Sequence, residues 1–228
     1  MNEFHAGLRN ATPLPEMSGS VKREDVFTRY RKHTLFVLDN LEKIADKYES
    51  PKFVFVHIEI PHPPFVFGPE GESVQLESRF NDHDGNWLVS RGRLTVEQYH
   101  KHYRDQIIFL NNRMKRVING ILDKSRRPPV MLILGDHGPR SRLVWESAEM
   151  TDVKECLTML NAYYLPEGGA KLLYPGISPV NSFRVVFNHY FGANLELLPD
   201  RSYFSTAKYL YKFYDVTDRI RKDGTKSK

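Results

Sequence analysis

Asp136 and His137 stand side by side between Gly135 and Gly138, directly after the apolar run Val130-Met131-Leu132-Ile133-Leu134. A carboxylate beside an imidazole pairs a hard donor with a borderline-soft one, which suits a divalent transition metal such as zinc or manganese better than calcium. Flanking glycines let the backbone turn sharply and approach a ligand. Two ligands are too few to close a coordination sphere, and the same residues can form an Asx-type turn at a strand end. Two more groups could share such a site. His62 lies in Pro61-His62-Pro63-Pro64, where three prolines hold the chain extended and fix the ring on a stiff loop. Arg140, in Pro139-Arg140-Ser141-Arg142, carries a planar fork that matches tetrahedral oxyanions, although a loop arginine is also commonly just solvated.

Elements around these residues must bring them together. Residues 53–60, Phe-Val-Phe-Val-His-Ile-Glu-Ile, are rich in β-formers and apolar on both faces, as in a central strand of a parallel sheet. Thr95-Val96-Glu97-Gln98 matches a capping box, and Tyr99, Tyr103, Ile107, Leu110, Met114, Val117 and Ile121 carry an apolar stripe to Asp123. Strand, helix and then the strand at 130–134 predict a right-handed crossover, with His62 and Asp136-His137 on one sheet edge. The expected fold class is α/β, a mostly parallel sheet with helices on both faces.

The remaining pattern is compatible with that layout. Phe27, Tyr30, Thr34, Val37, Leu41, Ile44 and Tyr48 recur at helical steps over residues 23–48. Residues 65–93 form a long connection, and such loops are often functional. Residues 160–165 read as a strand, and Ser178-Pro179 opens a short helix that ends at Gly192. Residues 203–216 are aromatic, and periodicity leaves them as an edge strand or a helix. The division is an irregular arm over 1–22, an α/β domain over 23–218 and a basic tail over 219–228.

Composition narrows the classes. At 228 residues and 40% hydrophobic content the chain can build one sizeable core. Net charge is +5 with a sequence pI near 9.2, but the excess is spread thinly outside the tail, so nucleic acid is not expected as a partner. An anionic substrate fits the charge. The single Cys156 is expected to be buried, and no transmembrane run or signal peptide is present, so the chain itself is expected to be soluble.

The ordered series Pro-His-Pro-Pro at 61–64, long loop, helix with Tyr103-Arg104-Asp105-Gln106-Ile107-Ile108-Phe109-Leu110-Asn111, strand and Gly135-Asp136-His137-Gly138 resembles the sulfatase-like branch of the alkaline phosphatase superfamily. Within that branch it is similar to bacterial membrane-anchored sulfatase-like hydrolases and transferases, and the likeness covers roughly residues 23–218. The resemblance implies a metal-dependent hydrolase or transferase of phosphate or sulfate esters. Asp136 and His137 would be metal ligands, and His62 would contact the transferred group, with Arg140 standing where relatives place another anion-binding residue. It also implies a membrane-anchored, extracytoplasmic parent protein.

Family members carry a nucleophile and a first acidic ligand well before the Pro-His-Pro motif. Here the preceding residues hold an arm and a helix, Thr28 and Thr34 read as helix positions, and Cys156 is in the wrong context. No catalytic nucleophile is identified. The chain is therefore expected to be a carboxyl-terminal part that needs the missing amino-terminal part as partner and is inactive alone. The alternative is a non-catalytic binding or accessory module. Among other candidates, residues 81–86 (Asn-Asp-His-Asp-Gly-Asn) read as a polar turn, not a calcium loop. His57 and Glu59 are expected to satisfy each other or a neighbour, His100 and His102 to be surface residues, and Trp87 to pack the long loop.

Overall fold

The computed structural model describes residues 25–74, 76 and 84–221. The arm expected over 1–22, Asn81, Asp82 and His83 of the polar turn, and 222–228 of the basic tail lie outside the described residues. Helix α1 spans Val26–Leu41, and Asp25 caps it by accepting from the Phe27 and Thr28 amides at 2.9 and 3.1 Å. It buries Phe27, Thr34 and Leu38, so Thr34 has a core role. The helical pattern to Tyr48 is interrupted, and α2 covers only Ile44–Lys47. Helix α3, Gly85–Ser90, lies inside the long connection.

Helix α4, Val96–Lys124, is the longest element, with both hydrogen bonds of the expected capping box between Thr95 and Gln98. Strand β1 is Met131–Leu134, α5 is Val153–Leu157 and β2 is Asn161–Tyr164. A 3-10 turn at Gly169–Leu172 leads to α6, Pro179–Phe191, which stops at Gly192 in the left-handed region (φ 66°). Strands β3 (Tyr203–Thr206) and β4 (Tyr209–Asp215) precede α7, Thr217–Arg221.

Among the described residues the expected parallel sheet is not formed. β1 pairs with β2 antiparallel, Met131 opposite Tyr164 and Leu134 opposite Asn161, and β3 with β4 makes a separate antiparallel hairpin. Helices dominate instead. An apolar run tells which residues want burial but not which direction the neighbouring strand takes, and β1 meets its partner from downstream. Residues 53–60 are not a strand, because no strand among the described residues lies beside them to complete a ladder. Phe53 and Phe55 are 86% and 81% exposed, and only Ile60 is fully buried. The undecided segment 203–216 is the β3–β4 hairpin, which shows Tyr209, Tyr211 and Phe213 to solvent.

Among the described residues, four apolar clusters stand in place of a single sheet core. Phe27, Leu38, Ile60, Val66, Phe67 and Phe109 join α1 to α4, with Phe67 stacked on Phe109 at 4.3 Å. Phe65, Leu88 and Tyr99 hold α3 and the proline loop on the start of α4, with Trp87 packed against them as expected. Cys156, as expected, is buried, in a cluster with Leu143, Val153 and Phe204, and burial pushes its thiol up to about 12. Among the described residues, no helix is long and apolar enough to cross a membrane.

Candidate metal centre

Two loops meet because α4 holds both. Gln106 is fully buried on α4, and its Oε1 accepts from the Val66 and Phe67 amides at 3.0 and 3.2 Å. Its Nε2 donates to the carbonyls of Pro61 and His62 at 3.2 and 3.4 Å. Seven residues earlier, two turns along the same helix face, the Tyr99 hydroxyl donates to the Pro139 carbonyl at 2.7 Å. His100, still 38% exposed at its side chain, bonds through Nε2 to the Ser141 hydroxyl (2.9 Å) and the Glu155 carboxylate (2.7 Å), partners that its helical position did not announce. Ser141 also donates to Glu155. The sequence placed His62 and His137 together by a sheet edge; the helix does that work instead.

Each histidine is oriented by the carbonyl that follows it. His62 Nδ1 lies 2.7 Å from the Pro63 carbonyl oxygen, and His137 Nδ1 lies 2.8 Å from that of Gly138. A carbonyl only accepts, so both Nδ1 atoms carry a proton and Nε2 is the nitrogen left to each ring for a ligand. Metal-ligating histidines are usually set in this way. The rings stand 5.9 Å apart between centroids, at 72°.

The third member is Asp84. Ligand atoms of His62, Asp84 and His137 all lie within 4.8 Å of one another, with His62 Nε2 3.4 Å from Asp84 Oδ1. Donors about 2.1 Å from a tetrahedral centre stand roughly 3.4 Å apart, so the group needs only about an ångström of side-chain adjustment to close on zinc. Asp84 occupies the N-cap position of α3, yet its side chain makes no capping bond. The carboxylate turns to His62 and to Arg140, whose Nη1 donates to both oxygens at 3.3 and 3.4 Å. The donor set, two imidazoles and one carboxylate, fits a transition metal.

Asp136 stands beside this group, not in it. Its side chain is 80% exposed, Oδ1 accepts from the His137 amide at 3.0 Å, and Oδ2 is 3.6 Å from His137 Nε2. Arg140 has φ 59°, a left-handed conformation uncommon for a residue with Cβ, and its guanidinium lies 6.0 Å from the centre of the Trp145 ring.

Charge and burial compete at His62. Burial opposes the protonated ring, but hydrogen bonds to Asp84 and Pro63, with the charges of Asp84 and Glu59, outweigh it and raise its pKa above the ordinary 6.5. The hydrogen bond from His62, aided by Arg140 and opposed by burial, holds Asp84 below the ordinary 3.8. The His62 contribution to stability is fully present below pH 6.5 and is lost as pH rises through its raised folded value. The Asp84 contribution is present above pH 3.8 and is lost as pH falls through its depressed value. With a chelator present, the melting difference between wild type and His62→Ala is expected to be largest at about pH 4–6 and to shrink in alkali. A difference that does not change with pH would show that this pair is not coupled to folding.

Of the residues singled out in the sequence, His62 and His137 come together, Arg140 lies against their carboxylate neighbour and Asp136 stands beside the group, while Asp84 was not among the expected ligands. Comparison with known protein families, with curated proteins and with solved structures finds no significant match.

Proposed function

We propose that this chain binds a divalent transition metal through His62, Asp84 and His137 and presents it to a phosphate or sulfate ester, as part of a sulfatase-like hydrolase or transferase. The observation that carries the reading is the convergence of those three side chains from segments far apart in sequence. Three protein ligands with a fourth position for a substrate oxygen make the catalytic kind of site. Asp136, 3.6 Å from His137 Nε2, is placed to add a second carboxylate.

A bound metal would polarise a non-bridging oxygen and offset the charge that develops there. The protein's own residues then have separate tasks. The carbonyls of Pro63 and Gly138 hold the Nδ1–H of each ring, so that a metal would take the place of the His62 Nε2 proton that Asp84 now accepts, and α4 fixes the spacing of the two loops. Arg140 is the cationic donor nearest to the carboxylate ligand. The nucleophile is not among the threonines and cysteine weighed for the role: Thr28 donates to Asp25, Thr34 is buried in α1, and Cys156 is buried with a raised pKa. The chain alone is therefore proposed to bind and not to turn over, which equally describes an accessory module. A membrane-anchored, extracytoplasmic parent belongs to the same proposal and rests on the resemblance of motifs.

Calorimetric titration with zinc and with manganese tests it. Wild type is expected to bind one ion, and His62→Ala, Asp84→Asn and His137→Ala each to weaken binding by about a hundredfold or more, since even outer-sphere partners contribute about 10- to 100-fold. Asp136→Ala is expected to cost less. Tighter binding of calcium than zinc, or affinity unchanged in all three variants, would remove the metal centre.

A further inference from the structure

We propose that Arg140 is an exchangeable counter-cation, which leaves Asp84 when a metal takes that carboxylate and then grips a tetrahedral oxyanion. Metal and anion would thus bind cooperatively. The inference rests on the metal reading of His62, Asp84 and His137.

Arg140 spends little of its hydrogen-bonding capacity. Only Nη1 is engaged among the described residues, and it reaches the two oxygens of Asp84 by long contacts of 3.3 and 3.4 Å instead of a parallel fork. Nε and Nη2 remain available for the bidentate geometry that sulfate and phosphate favour. A divalent ion on Asp84 would claim the same oxygens and repel the guanidinium, so both cannot keep their full contact with this carboxylate. The displaced group has a place to stay. Its side chain is 27% exposed, and the face of Trp145 lies 6.0 Å away, close enough to retain a cation as it turns toward solvent. A metal, one carboxylate and a released guanidinium leave the centre positive, which suits a dianionic ester. By linkage, an anion that holds Arg140 away from Asp84 tightens metal binding to the same degree that metal tightens anion binding.

Zinc titrations with and without inorganic sulfate, at constant ionic strength set by chloride, separate the possibilities. In wild type, sulfate is expected to tighten zinc binding about tenfold. Arg140→Gln should bind zinc alone several-fold more tightly than wild type, because the competing cation is gone, and should lose the sulfate effect. Arg140→Lys keeps the charge without the fork, so it should bind zinc much as wild type does while losing most of the sulfate effect. It also serves if the glutamine variant does not fold. Zinc binding to Arg140→Gln no tighter than to wild type, or a sulfate effect retained in either variant, overturns the exchange while leaving the metal centre standing. Failure of wild type to bind zinc at all overturns the metal reading and this inference with it.

Discussion

Gln106→Leu is expected to lower stability by about 3 kcal/mol and the melting temperature by roughly 9 °C, at about 2–4 °C per kcal/mol for a chain of this size. Leucine matches the volume but accepts nothing. The Val66 and Phe67 amides, on two fully buried residues, would lose their acceptor, and each unsatisfied buried group costs about 1–3 kcal/mol. The carbonyls of Pro61 and His62 would lose a donor as well. Because these atoms flank the His62 ring, zinc affinity should fall about tenfold, in the range of other outer-sphere losses. Thermal melts and zinc titrations check both effects. A variant that melts within about 1 °C of wild type would show that Gln106 does not hold the proline loop.

Gly138→Ala should be as damaging by a different route. A Cβ at this position would lie 1.9 Å from the Glu155 carbonyl oxygen and 2.8 Å from that of Thr158, both backbone atoms that no rotamer change can move. The loop would have to retreat from α5. That retreat breaks the 2.8 Å bond from the Gly138 amide to the Cys156 carbonyl and displaces the carbonyl that orients His137. A loss of about 3 kcal/mol and of at least tenfold in zinc affinity is expected. Gly135→Ala is the internal control. Its Cβ would meet Met159 Cβ at 3.3 Å, the Leu160 amide nitrogen at 3.5 Å and the His137 carbonyl oxygen at 3.8 Å, contacts that small shifts relieve. Equal melting curves for the two alanine variants would contradict this account. Neither glycine has a positive φ, so neither serves the special turn that the sequence implied, and of the two only Gly138 is needed for space.

What could be read from the sequence divides along physical lines. Helix α4 was legible because its capping box and apolar stripe are local, and local signals survive whatever the tertiary structure does. His62 and His137 were legible as chemistry because prolines and glycines around them restrict or free the backbone in recognisable ways. Their proximity was anticipated through a premise that fails, since α4 and not a parallel sheet brings their loops together. Asp84 carried no signal of its own. It stands in a polar stretch that satisfies a turn equally well, and only the unused capping position ahead of α3 marks it after the fold is known. The partners of His100 were hidden for a related reason: helical position gives the face a residue occupies, but not the Ser141 and Glu155 groups that a distant loop brings to it.

The uncovered run at 53–58 has consequences for how the chain behaves in solution. Phe53, Val54, Phe55, Val56, His57 and Ile58 form a window of high β-propensity with no acidic side chain, no lysine or arginine, no proline and no glycine, and its first four residues are exposed. Such windows pair edge to edge between molecules unless charges or prolines interrupt them. Here the interruptions stand just outside: Pro51 and Lys52 on one side, Glu59 and Pro61 on the other. Lys52 is already committed, donating to the Ile44, Ala45 and Tyr48 carbonyls at the end of α2. Edge-to-edge pairing through this segment is therefore the expected route if molecules of this chain associate at high concentration.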